Sequence, residues 1–101
     1  MIDRLEKMLA DERDDAMLRF GLGNAYFNKD EWQLAVTHLE ACIAQDKNYS
    51  AAYKLLGRAY TKLGQKDAAK SIFDDGLLVA RQQGDKQSEK EMSVFLRKLD
   101  K

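Results

Sequence analysis

The chain has 101 residues, 34% charged and 45% hydrophobic, with 17 acidic side chains balancing 17 basic ones. Zero net charge argues against a dedicated nucleic-acid binder, which needs a basic surface to displace counterions, and the length suits one small domain rather than a catalytic unit plus a regulatory one. A single cysteine, Cys42, rules out an internal disulfide and fits a reducing compartment.

No apolar run approaches the roughly 18 residues of a membrane span, and Met1-Ile2-Asp3-Arg4 is too acidic and amphipathic for a signal peptide. The expectation is a soluble, cytoplasmic protein with no membrane contact. Ile2, Leu5, Met8 and Leu9 make a short apolar stripe at helical spacing, which predicts an N-terminal helix over 1–12. An acidic turn follows from Asp11 to Asp15, where Asp14 or Asp15 can cap the next helix. That helix is predicted to run to Asn28, with Lys29-Asp30 as a turn and a second helix from Glu31 to Gln45. Asn48 or Ser50 is expected to cap a third helix ending near Leu63, where Gly64 breaks it; a fourth runs from Lys66 to Gln83 and stops at Gly84. The last helix spans 85–100, with Ser88 and Glu91 spaced as a capping box and Met92, Phe95, Leu96 and Leu99 as its apolar stripe.

Leu22-Gly23-Asn24-Ala25-Tyr26 returns 34 residues later as Leu56-Gly57-Arg58-Ala59-Tyr60. At that spacing 16–49 overlies 50–83, adding the identity Ala35/Ala69 and the near-matches Leu39/Phe73, Cys42/Gly76, Ile43/Leu77 and Thr37/Ser71. The matches sit where two antiparallel helices would touch. Gly23 and Ala35 let backbones approach, and Leu22, Tyr26, Leu39 and Ile43 fill the space alongside. In the same register Leu5 aligns with Leu39 and Phe73, and Leu9 with Ile43 and Leu77, so the N-terminal helix reads as the second half of an earlier repeat. The final helix does not repeat: Glu91 stands where Gly23 and Gly57 stood. It is read as a lid on the second repeat, with a dimer contact or occupancy of the chain's own groove as alternatives.

The pattern resembles the tetratricopeptide repeat: an aromatic, Leu-Gly, Tyr, a small residue, a large apolar one and a closing Pro. The second repeat matches with Tyr53, Leu56, Gly57, Tyr60, Ala69 and Phe73. The first matches with Leu22, Gly23, Tyr26, Ala35 and Leu39, and carries Arg19 at the aromatic position. Lys47 and Arg81 replace the proline. The resemblance implies an all-α fold of antiparallel helix-turn-helix repeats stacked as a short right-handed superhelix. It also implies a concave groove lined by the first helix of each repeat, at positions two, five, nine and twelve. Carried over, these are Met17, Phe20, Asn24 and Phe27, then Ala51, Lys54, Arg58 and Thr61, with Lys62 at the edge.

One half of that groove is apolar and the other basic. Met17, Phe20 and Phe27 are surplus to the packing set, and an aromatic stripe facing water marks a contact site. Lys54, Arg58 and Lys62 share a helix face and repel one another, so an anionic partner would relieve them. Asn24, Lys54 and Arg58 also stand where related domains grip the C-terminal carboxylates of heat-shock chaperones, although two further clamp residues would fall before Met1. The expected function is therefore a protein-interaction scaffold binding a peptide or protein segment of apolar and acidic character. The alternative is a homodimerisation module using Met92, Phe95 and Leu99 or the Met17, Phe20 and Phe27 stripe.

Enzymatic chemistry finds little footing. His38 and Cys42 lie four apart on one helix, but Cys42 fills the small slot held by Gly76 in the next repeat, where a buried thiol is inert. Two ligands are too few for zinc. Gly21-Leu22-Gly23 lacks both the third glycine and the strand of a dinucleotide site, and Asp11, Glu12, Asp14, Asp15, Asp74 and Asp75 read as solvated surface. Asn48-Tyr49-Ser50 has the form of a glycosylation acceptor that matters only in a secreted chain. No catalytic residue, metal or cofactor is expected.

Overall fold

Each short connection returns the chain on itself, so successive helices pack antiparallel. The structure, a computed structural model, describes residues 2–11 and 13–100; Met1 and Glu12, at the ends of the expected first helix, lie outside them. Six helices follow in order: α1 Ile2–Ala10, α2 Ala16–Asn28, α3 Trp32–Gln45, α4 Ser50–Lys62, α5 Lys66–Gln83 and α6 Lys86–Leu99. Helices α2, α4 and α6 lie side by side in one layer, α3 and α5 form the other, and α1 rests on α2.

Local chemistry sets the boundaries. Asp15, in extended conformation, accepts a hydrogen bond from the Leu18 amide at 2.8 Å and so starts α2. The two repeats turn in the same way: Asp30 and Gly64, 34 residues apart, both take left-handed backbone at φ 62° and 75°. Glycine does this without steric cost, and aspartate is one of the few other residues that tolerates it. Gly84, at φ 69°, closes α5.

Two expected caps are corrected. Neither Asn48 nor Ser50 caps α4: Tyr49 occupies that position with no side-chain bond, and the Ser50 hydroxyl instead donates to Asp85 Oδ2 at 2.6 Å. Nor does Ser88 open a capping box, because α6 begins two residues earlier. Ser88 is buried inside it and its amide donates to Asp85 Oδ1 at 3.1 Å. One carboxylate thus starts α6 and ties it to the start of α4.

The recurrent glycines are points of contact. A Cβ on Gly23 would stand 2.6 Å from Leu39 Cγ and 3.5 Å from the Ala35 carbonyl oxygen, and one on Gly57 would enter the Phe73 ring. Around these approaches the interior forms two adjoining clusters. One is built from Phe27, Leu39, Cys42, Leu56 and their neighbours, the other from Tyr53, Phe73, Leu77, Met92 and Leu99. Phe73, Leu22, Leu39, Leu56 and Met92 are the largest fully enclosed side chains, each contributing roughly 1.5–3 kcal/mol by burial.

Met92 and Leu99 come from the non-repeating helix. Met92 Sδ would lie 2.6 Å from a Cβ on Gly76, so α6 packs directly on α5, with Met92 and Leu99 buried within their own chain. At the other end α1 is amphipathic but fully buries none of its side chains. Its Leu5 packs beside Gly21.

Candidate functional site

The face shared by α2, α4 and α6 carries the residues singled out from the groove positions. At its α2 end Met17 is 72% exposed and Asn24 is exposed. The apolar stripe expected to face water is corrected there. Phe27 is 8% exposed, edge-on to Trp32 with centroids 5.0 Å apart, and Phe20 is half-buried and stacked on Tyr49 at 5.0 Å. The physical reason is Trp32, which enters at the start of α3 and covers Phe27, together with Tyr49 in the turn before α4.

The basic half is arranged differently from three mutually repelling cations. Lys54 Nζ is 3.1 Å from Glu91 Oε1 on α6, so the chain supplies the anion that a partner was expected to bring. The Arg58 guanidinium sits over Phe27 at 4.9 Å and over Phe95 at 5.2 Å, held between aromatic faces from α2 and α6. Lys62 Nζ lies 5.7 Å above Trp32, and the Thr61 hydroxyl donates to the Gly57 carbonyl at 2.8 Å.

Between α4 and α6 opens a cavity of about 240 Å³ lined by Arg58, Thr61, Lys62, Phe73, Phe95, Lys98 and Leu99. It brings together Arg58, Thr61 and Lys62 of the groove residues expected from the sequence and leaves Lys54 with Glu91 and Met17 with Asn24 outside. Phe95, Lys98 and Leu99 were missed as site residues. The available signal was Lys98 standing three residues beyond Phe95, hence on the same side of the helix.

Away from this face, His38 is buried and parallel to the Tyr26 ring at 5.4 Å. Its Nδ1 is 3.1 Å from Arg19 Nη1 and its Nε2 is 3.8 Å from Glu6 Oε1. Burial lowers its pKa; Glu6 opposes that and Arg19 reinforces it. Cys42 is fully enclosed, and burial pushes its thiol up to about 11. A neutral, inaccessible thiol beside an imidazole engaged elsewhere is no nucleophile. Among the described residues no three side chains gather as metal ligands, and no helix is long and apolar enough to cross a membrane.

Comparison with known proteins follows the same lines. Residues 29–87 match the sequence model of the tetratricopeptide repeat. A TPR repeat-containing protein of Pseudomonas aeruginosa is 50% identical over 101 residues, covering 100% of this chain and 96% of its own length. The solution structure of a Bordetella parapertussis protein superposes with a TM-score of 0.87 at 39% identity, over 99% of this chain and 87% of that one. The second TPR domain of human RPAP3, solved with the HSP70 peptide SGPTIEEVD, gives a TM-score of 0.72 at 25% identity, over 98% of this chain and 91% of that one.

Proposed function

Because the chain belongs to the tetratricopeptide repeat family, a non-catalytic family of protein-binding helical repeats, we propose that the face formed by α2, α4 and α6 binds a peptide or protein segment of mixed apolar and acidic character. The observation that carries this reading is the cavity beside Arg58, where cationic side chains surround an apolar floor of Phe73, Phe95 and Leu99. Apolar contact supplies affinity in such a site, and charge-assisted hydrogen bonds set orientation. The RPAP3 neighbour holds a peptide with that mixture, its Ile and Val interspersed with Glu, Glu and Asp. The chaperone-tail clamp suggested by Asn24, Lys54 and Arg58 is less favoured here, since Lys54 is engaged by Glu91. A cytoplasmic setting belongs to the same reading.

Self-association, the alternative, has little surface to use at the C-terminus: Met92 and Leu99 are buried in their own chain and Phe95 stacks on Phe73 at 5.9 Å. The test is selection of displayed peptides followed by amide chemical-shift mapping on the full chain. Shifts clustered at Met17, Asn24, Arg58 and Lys62 are expected. Shifts confined to the opposite side, around Ile43 and Ile72, would overturn the reading.

A further inference from the structure

We infer that the cavity between α4 and α6 is an anchor pocket for one bulky apolar side chain of an acidic peptide, with Arg58, Lys62 and Lys98 receiving the carboxylates beside it. This rests on the peptide-face reading and specifies where on that face the partner is gripped and by what chemistry.

Three observations carry it. At about 240 Å³ the cavity falls below the roughly 300–1,000 Å³ of pockets that enclose a whole small molecule, so it suits a side chain. Its lining is apolar at Phe73, Phe95 and Leu99, cationic at Arg58, Lys62 and Lys98, and among the described residues contains no acid. Overall the chain carries 17 charges of each sign, so this local excess does not follow from composition. Finally, the cations have no anionic partner: among the described residues none of the three takes part in an ion pair or side-chain hydrogen bond, whereas neighbouring Lys54 is occupied by Glu91. Arg58 is moreover fixed between two rings, and a preorganised fork loses less entropy on meeting a carboxylate. Three cations are too few for a nucleic-acid track, whose affinity comes from many phosphate contacts, and an apolar floor has no use for a phosphate.

The site needs α6: Lys98, Phe95 and Leu99 all belong to the helix outside the repeats. A repeat pattern alone therefore does not contain it.

The experiment is fluorescence anisotropy on the full chain with a labelled peptide Ser-Asp-Glu-Leu-Asp-Glu-Ser, its Leu→Gly version and a single-stranded oligothymidylate. The Leu peptide should bind, and replacing its leucine by glycine should weaken binding at least about tenfold through loss of the apolar contact. Lys98→Glu, at an exposed position, should also weaken it at least about tenfold with an unchanged thermal midpoint. No binding up to about 1 mM, equal binding of the Leu and Gly peptides, or equal binding of the oligonucleotide overturns the inference. If Lys98→Glu has no effect while Met17→Ser or Asn24→Ala weakens binding, the anchor falls and the peptide face stands. If peptide-induced amide shifts avoid the α2, α4 and α6 face altogether, both fall.

Discussion

Lys54 and Glu91, 37 residues apart in sequence, meet at 3.1 Å across the α4 and α6 interface. The end helix thereby neutralises one cation of the basic stripe and, among the described residues, leaves the two that line the cavity without an ion pair. Both partners retain solvent contact, so the pair adds little stability. Glu91→Gln should cost only about 0.2–1 kcal/mol in urea denaturation, while freeing Lys54 and strengthening the binding of an acidic peptide. Unchanged or weaker binding would show that Lys54 takes no part in recognition.

Glycine has two different jobs here, and alanine separates them. Gly57→Ala gains helix propensity but drives a methyl into the Phe73 ring; the overpacking wins, with a net loss of roughly 1–3 kcal/mol. Gly64→Ala meets nothing within 4 Å, yet its φ of +75° is unfavourable for any Cβ, so a loss of about 1–2 kcal/mol is expected from backbone strain alone. Adding Phe73→Leu to Gly57→Ala should recover stability, whereas it cannot rescue Gly64→Ala. Thermal melts of the four variants decide.

Cys42 should resist labelling in the native state. Its thiol is enclosed and raised to about 11, so a disulfide reagent at mildly alkaline pH should react only as fast as the chain opens, and urea should accelerate it. Rapid stoichiometric labelling without denaturant would show that the packing around Ala35 and Leu39 is looser than described.

Acid should destabilise the fold in two stages. Burial holds the His38 pKa below its ordinary 6.5, so the unfolded chain takes up that proton first. Stability is full above about 6.5 and declines as the pH falls towards the lower folded value. Hydrogen bonds from Arg19 and Gln45 hold Asp14 at about 2 rather than 3.8; its contribution is present above 3.8 and is lost as the pH falls towards 2. Urea midpoints of the wild type and His38→Gln, measured from about pH 8 to pH 3, should differ in slope once the pH falls below histidine's ordinary value of about 6.5. A wild-type profile that stays flat as the pH falls through about 6.5 would contradict the buried neutral imidazole.

The helical repeat was legible because its determinants are local or periodic. Gly23 and Gly57 recur at one spacing, Leu39 and Phe73 answer them, and Gly64 and Gly84 punctuate the helices where the backbone turns left-handed. What escaped depends on which distant side chain arrives. Nothing in the register of Phe27 announces that Trp32 and Arg58 will cover it, and Lys54 gives no sign of Glu91. The caps failed for a related reason: Asp85 reaches Ser50 as well as its own helix, a long-range choice that spacing cannot encode. The cavity was half legible, since Arg58, Thr61 and Lys62 lay on the repeat but Phe95 and Lys98 lay on the helix that breaks it.

The seat of Arg58 has a mechanical corollary. Hydrogen bonds weaken steeply when their angle is lost, whereas a cation over a ring keeps its attraction while it stays within about 6 Å of the centroid, a limit that Arg58 satisfies on both sides. Small sideways slips of the first repeat and the end helix against α4 therefore leave this joint intact. A change in the pitch of the stack would therefore turn about this one guanidinium, seated between rings from α2 and α6.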